Sequence, residues 1–166
     1  MSGINQAEFE NIFSAWYEPI RNFLYYKTGD IQVAEDIAQD VFLKVWDKRS
    51  EIKRETIKQL LYTIANNLFL NNIERKKVSL KFTENYTIEH NKESPEFEME
   101  LKEFDNKLQR AIGLLDEKQR TVFLMNRIEK FTYNQIAENL SITVKAVEKR
   151  MQKALGFLKE KVEVNI

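Results

Sequence analysis

Apolar residues recur along this chain at threes and fours, the period of helices that bury one face. Phe9, Ile12, Phe13, Trp16, Ile20, Phe23 and Leu24 predict a helix over 5–27, with a kink expected at Pro19. Thr28-Gly29-Asp30 breaks it. Ala34, Ile37, Ala38, Val41, Phe42, Val45 and Trp46 repeat without a miss and predict a second helix over 33–48. A charged connection, RSEIKRE, fills 49–55. Ile57, Leu60, Leu61, Ile64, Leu68 and Ile73 then predict the buried face of a third helix over 56–77, ending in Arg75-Lys76-Lys77. Periodicity lapses over 78–94, VSLKFTENYTIEHNKES, which reads as a flexible linker of at most about 58 Å. Ser94-Pro95-Glu96 is a helix start, with Pro at the first position, and that helix is expected to reach about Leu115. Asp116 with Gln119 caps another, to about Glu129. The expected fold is all-α: two small helical domains, 1–77 and 95–166, joined by the linker.

The last part of the second domain has a pattern of its own. Thr132 and Gln135 have the T-x-x-Q spacing of a capping box. Ile136, Ala137 and Leu140 form the apolar face of a short helix, which Ser141 and Ile142 interrupt. Thr143 then caps a longer helix built on Val144, Val147, Met151 and Leu155. Its opposite face carries Lys145, Glu148, Lys149, Gln152 and Lys153, a complete polar stripe. Residues of these types read base edges or hold phosphates when a helix-turn-helix lies in a major groove. A polar stripe alone is more often just a solvated face. The short helix, turn and long helix with matched caps are what favour DNA.

A second face stands out on the helix over 33–48. Asp36, Gln39 and Asp40 lie together at i, i+3 and i+4, with Leu43 one turn on. A leucine beside two carboxylates and an amide suits a protein-docking patch. From spacing alone, a solvated face with one stray leucine is the more ordinary reading.

Charge changes this picture. The 166 residues carry 26 basic and 26 acidic side chains, a net charge of zero. Residues 1–77 are balanced, 11 against 11. Residues 78–104 carry 3 basic and 7 acidic groups, and 105–166 carry 12 and 8. The basic excess therefore accompanies the helix-turn-helix, but a net of +4 is small. Non-specific DNA affinity comes largely from counterion release, so the chain is expected to bind DNA weakly alone and to need a partner. There are no cysteines, which excludes disulfides and thiolate metal sites. The single histidine, His90, sits in the least periodic stretch and reads as a solvated side chain. No nucleophile–base set, Gly-rich phosphate loop or metal cluster is present, so neither an enzyme nor a cofactor is expected. No apolar run approaches a membrane span and MSGINQAEFE lacks a signal-peptide core, so a cytoplasmic protein without membrane insertion is expected.

Two segments resemble a known family. AEDIAQDVFLKVWDKR (34–49) is similar to the core-binding segment of bacterial RNA polymerase sigma factors of the sigma-70 family. LDEKQRTVFLMNRIEKFTYNQIAENLSITVKAVEKRMQKALGFLKE (115–160) is similar to their promoter-binding segment. Their order, spacing and short length resemble the extracytoplasmic-function (ECF) group, which keeps only these two domains. The resemblance implies that Asp36, Gln39, Asp40 and Leu43 dock on the clamp helices of the polymerase β′ subunit. It implies that helices around 115–128 pack on the β-flap, and that an anti-sigma factor is a further partner. The third helix resembles the segment that melts and reads the minus-ten element. Tyr62, Asn66, Asn67 and Asn71 are then expected to hold unpaired bases, with Lys53, Arg54, Arg75, Lys76 and Lys77 on the strand's phosphates. In the second domain, Glu148, Lys149, Gln152 and Lys153 are expected on minus-thirty-five bases or phosphates, Glu148 either accepting from a cytosine amino group or only pairing with a neighbouring lysine. Thr132, Tyr133, Thr143, Lys145 and Arg150 are expected on the backbone.

The chain also departs from the family's pattern. W-L-x-x-I-A-R-N appears as residues 60–67, with Leu60 in place of tryptophan and Asn66 in place of arginine. The usual aspartate four residues on is Asn71, and a common arginine is Glu74. These changes bear on base preference and melting strength. A stand-alone helix-turn-helix regulator shares residues 132–155 but does not need the acidic face. A helical adaptor that binds only protein needs neither DNA surface.

Overall fold

The computed structural model describes residues 3–76 and 106–162, which fall in two compact units. The expected linker over 78–94, the helix start at Ser94-Pro95-Glu96, His90 and Lys77 lie outside the described residues.

In the first unit, α1 spans Gln6–Thr28. The side chain of Asn5 accepts from the Glu8 amide, and Glu8 reaches back to the Asn5 amide, so both take up otherwise unpaired donors. Pro19 sits inside α1, and the helix continues through it. Gly29 ends α1 with φ 71°, a left-handed conformation that a side chain would strain. The next residue, Asp30, caps α2 (Ile31–Asp47) by accepting from Gln32 and Val33. A two-residue reversal therefore lays α2 back on α1. A 3-10 turn, Arg54–Thr56, leads into α3, Ile57–Lys76, which packs on both earlier helices. The unit's interior holds Ile20, Leu24, Ala38, Val41, Val45 and Leu61, all out of water. Burying each large aliphatic side chain stabilises the unit by about 1.5–3 kcal/mol.

The buried face of α3 differs from the expected one. Leu61, Tyr62, Ala65 and Phe69 are buried, whereas Leu60, Ile64 and Leu68 are only half-buried. The buried set is the expected one advanced by a single residue, a rotation of about 100°. A lysine of α1 faces the buried side. Lys27 is 0% exposed, donates to the Asn66 side chain and lies over the Phe69 ring at 4.1 Å. Both partners lie on the buried side of α3.

The second unit is described from a helix over 106–114, here α4. Its end meets α5 (Glu117–Phe123), which Asp116 caps through the Gln119 amide at 2.8 Å. Arg120 is buried and closes the reversal. Its guanidinium donates to the carbonyls of Ile112, Gly113 and Leu115 at 2.8–2.9 Å. Burial lowers its pKa from the ordinary value, against the smaller opposing pull of Glu117 and Asp116. From Leu124 to Ile128 the helix widens into a π turn, with the Glu129 amide donating to the Leu124 carbonyl. Lys130, at φ 65°, turns the chain, and the Asn126 side chain holds the Phe131 carbonyl at 2.9 Å. α6 (Tyr133–Leu140) and α7 (Val144–Val162) follow, and α7 packs on α5 and α6.

Arg120→Met should remove three charge-assisted hydrogen bonds and leave buried carbonyls unpaired. The expected loss is about 2–4 kcal/mol of unfolding free energy, measured by urea titration of the full chain.

Candidate nucleic-acid and partner interfaces

The acidic face of α2 is as the spacing places it. Ala34, Ile37, Ala38, Val41, Phe42 and Val45 turn inward, leaving Asp36, Gln39, Asp40 and Leu43 on the outside. Gln32 donates to the Asp36 carboxylate at 3.1 Å. Leu43 is 60% exposed, an apolar side chain in water one turn from two carboxylates.

The α3 surface needs correction. Tyr62 is 0% and Asn66 5% exposed, so neither presents an edge to a nucleic acid in this structure. Tyr62 instead packs edge-on against Phe23 (5.1 Å) and Trp16 (6.4 Å), and Asn66 accepts from Lys27. The one-residue rotation of α3 takes both indoors. Asn67 and Asn71 remain outside, with Leu70 and Glu74 on the same stripe and Arg75 beside it. Leu70, 38% exposed, was not among the sequence candidates. Lys53 and Arg54 are exposed just before α3. Arg54 pairs with Glu8 at 2.5 Å, a partner on α1 that the sequence reading did not single out. The Asn5-x-x-Glu8 cap was its available signal. The side chains of Lys76 and Lys77 lie outside the described residues.

The helix-turn-helix is built by its caps. The Gln135 amide donates to the Thr132 hydroxyl, and the Thr132 amide to the Gln135 side chain, closing both sides of the box. Ser141, at φ 55°, ends α6, and Ala137 accepts from the Ile142 amide. The Ala146 amide donates to the Thr143 hydroxyl at 3.1 Å to start α7. Both threonine caps use the hydroxyl oxygen as acceptor, which leaves its hydrogen available to a phosphate oxygen. Val147, Met151, Ala154 and Leu158 anchor α7. Lys145, Glu148, Lys149, Gln152 and Lys153 are all exposed on the other side, while Arg150 and Tyr133 are half-buried flanking groups. Eight steps of 1.5 Å from Lys145 to Lys153 make this stripe about 12 Å long, comparable to the width of a major groove.

Two family models match the chain. The sigma-70 region 2 model covers residues 12–78 and the sigma-70 region 4 model covers 105–158. The two matches together define a transcription-initiation factor of the sigma-70 type. The ECF RNA polymerase sigma factor SigW of Bacillus subtilis (strain 168) is 30% identical over 89% of this chain and 84% of its own. RNA polymerase sigma factor YlaC of the same organism is 26% identical over 86% and 85%. The chain belongs to the ECF family of RNA polymerase sigma factors. In fold it is similar to the sigma factor RpoE co-crystallised with the anti-sigma factor NepR from Bartonella quintana. That likeness has a TM-score of 0.77 at 19% identity, over 96% of this chain and 99% of that one. No helix among the described residues is long and apolar enough to cross a membrane.

Thr132→Ala should cost about 1 kcal/mol of stability in denaturant unfolding, because the Gln135 amide loses its acceptor. Thr132→Ser, which keeps the hydroxyl, should restore most of it.

Proposed function

We propose how this sigma factor divides its work. Residues 1–77 bind polymerase core and open the minus-ten element; residues 95–166 read the minus-thirty-five element, with 78–94 as the tether between them. The observation that carries the core-binding part is Leu43, 60% exposed beside Asp36, Gln39 and Asp40. That combination suits burial against a partner with apolar and basic groups, and it lies in the segment that the sigma-70 region 2 model matches. The β′ clamp helices are the proposed partner of this face, and the β-flap that of the surface around 115–128.

The exposed Asn67 and Asn71 are the groups of α3 proposed to meet unpaired minus-ten bases. Lys53, Arg54, Arg75, Lys76 and Lys77 serve its phosphates. In α7, Glu148, Lys149, Gln152 and Lys153 face minus-thirty-five bases or phosphates. Lys145 and Arg150 serve the backbone with Thr132, Tyr133 and Thr143. An anti-sigma partner belongs to the same proposal, supported by the complex in which the similar RpoE was solved. Chemistry resides in the polymerase: the chain is a specificity subunit rather than an enzyme, and it acts in the cytoplasm.

Asp40→Lys with Gln39→Ala should abolish capture of polymerase core in a pull-down while helical content by circular dichroism stays intact. Reversing a charge in a desolvated contact costs about 2–5 kcal/mol, against almost nothing on a solvated face. Capture at wild-type strength would remove the α2 face from the interface.

The α7 stripe is testable separately by transcription from a library randomised at minus-thirty-five. Lys149→Ala and Gln152→Ala should relax the selected sequence at one or two base pairs, a discrimination of about 1–3 kcal/mol. Lys145→Ala should weaken all promoters alike and flatten the salt dependence by about one unit. An unchanged selected sequence with the first two variants would mean that the recognition face lies on another side of α7.

A further inference from the structure

We infer that Lys27 is a positioning residue for promoter reading: from the interior of α1 it decides which face of α3 looks outward. This rests on the reading of α3 as the minus-ten helix.

α3 has two candidate inner faces, one residue apart. One holds Ile57, Leu60, Leu61, Ile64 and Leu68; the other holds Leu61, Tyr62, Ala65, Asn66 and Phe69. Judged by apolar transfer alone, the first is the better core face, since the second contains an amide and a phenol. The structure nevertheless buries the second. Hydrophobic burial therefore does not choose the rotation of α3, and a specific contact must.

Lys27 makes that contact. It is 0% exposed, with its amine 4.1 Å from the centre of the Phe69 ring and 5.5 Å from that of Phe23. The same amine donates to Oδ1 of Asn66. An ammonium this deep is costly unless hydrogen-bonded and faced by π-electrons. Only the observed rotation brings both Asn66 and Phe69 to it. Turning α3 by one residue would withdraw both and place Leu60, Ile64 and Leu68 inside. The observed rotation puts Asn67, Leu70, Asn71 and Glu74 in one outward stripe at i, i+3, i+4 and i+7. Lys27 touches no exposed surface, so its influence on bases passes entirely through the angle at which α3 presents Asn67 and Asn71.

Two variants of the full chain test this. Lys27→Met removes the charge at similar length. Lys27→Met combined with Asn66→Leu also removes the amide that the first change strands, so the interior stays folded with neither partner present. Both are made in a Trp46→Phe background, which leaves Trp16 as the only tryptophan, edge-on to Tyr62. The free chain is read by Trp16 emission. The holoenzyme, reconstituted with polymerase core, is read by transcription from one library randomised at minus-ten and another at minus-thirty-five.

The expected result is a changed Trp16 emission and a roughly tenfold loss of preference among minus-ten sequences, with minus-thirty-five selection unchanged. Unchanged emission overturns the inference, as does unchanged minus-ten selection by variants that still initiate. A parent holoenzyme indifferent to the minus-ten library would instead refute α3 as the minus-ten helix. Trp16 emission then still decides whether Lys27 holds its rotation.

Discussion

A helix leaves unpaired amides at its start and unpaired carbonyls at its end, and neither is tolerated away from water. Three connections among the described residues, α1–α2, α4–α5 and α6–α7, turn the chain in two or three residues, so those groups have little room to find solvent. Each reversal is therefore closed by a dedicated side chain. Asp30 closes the step from α1 to α2, Asp116 and Arg120 that from α4 to α5, and Thr143 that from α6 to α7. The surfaces proposed to meet polymerase and promoter begin close behind these caps: Asp36 lies under two turns after Asp30, and Lys145 two residues after Thr143. A cap thus sets the point on its helix from which the exposed stripe is counted. Flexible loops would leave those stripes free to swivel. Short capped ones hold each at a fixed angle to the helix beside it.

The same caps explain what was legible in the sequence. T-x-x-Q and D-x-x-Q are local signals, so the starts of α6 and α5 were readable from four residues each. The apolar repeat of α2 has one solution, and its outer face followed. α3 was misread because both sides carry apolar residues and Lys27, a polar partner of the buried side, is 39 positions away in sequence. A lysine is moreover assigned to the surface by every compositional rule. The misplacement of Tyr62 and Asn66 is a direct result. The π turn at Leu124–Ile128 was read simply as more helix, because no residue type there announces five-residue hydrogen bonding. Glu8 was missed for the same reason as Lys27: its partner, Arg54, belongs to a different element.

Charge in this protein is sorted by face, not by amount. The α2 face is acidic, the α7 stripe mainly basic, and the sum over the chain is zero. Long-range attraction to a polyanion is correspondingly weak, and what remains is local. A neutral chain also keeps its basic and acidic surfaces from being masked by one dominant field, which suits a protein whose proposed partners are of opposite kinds. Arg54 illustrates this: its guanidinium is paired with the Glu8 carboxylate, which locally offsets its charge.

The Lys27–Asn66 bond joins residues that belong to different helices but to one structural decision. Helix boundaries are consequently poor seams for recombining this fold with its relatives. A hybrid that took α3 from a chain following the arginine pattern at position 66 would press a guanidinium against an ammonium in a dry interior. A hybrid that took only α1 would strand an asparagine with nothing to bind. The transferable module is the pair: a graft of α3 has to carry the turn of α1 that holds Lys27.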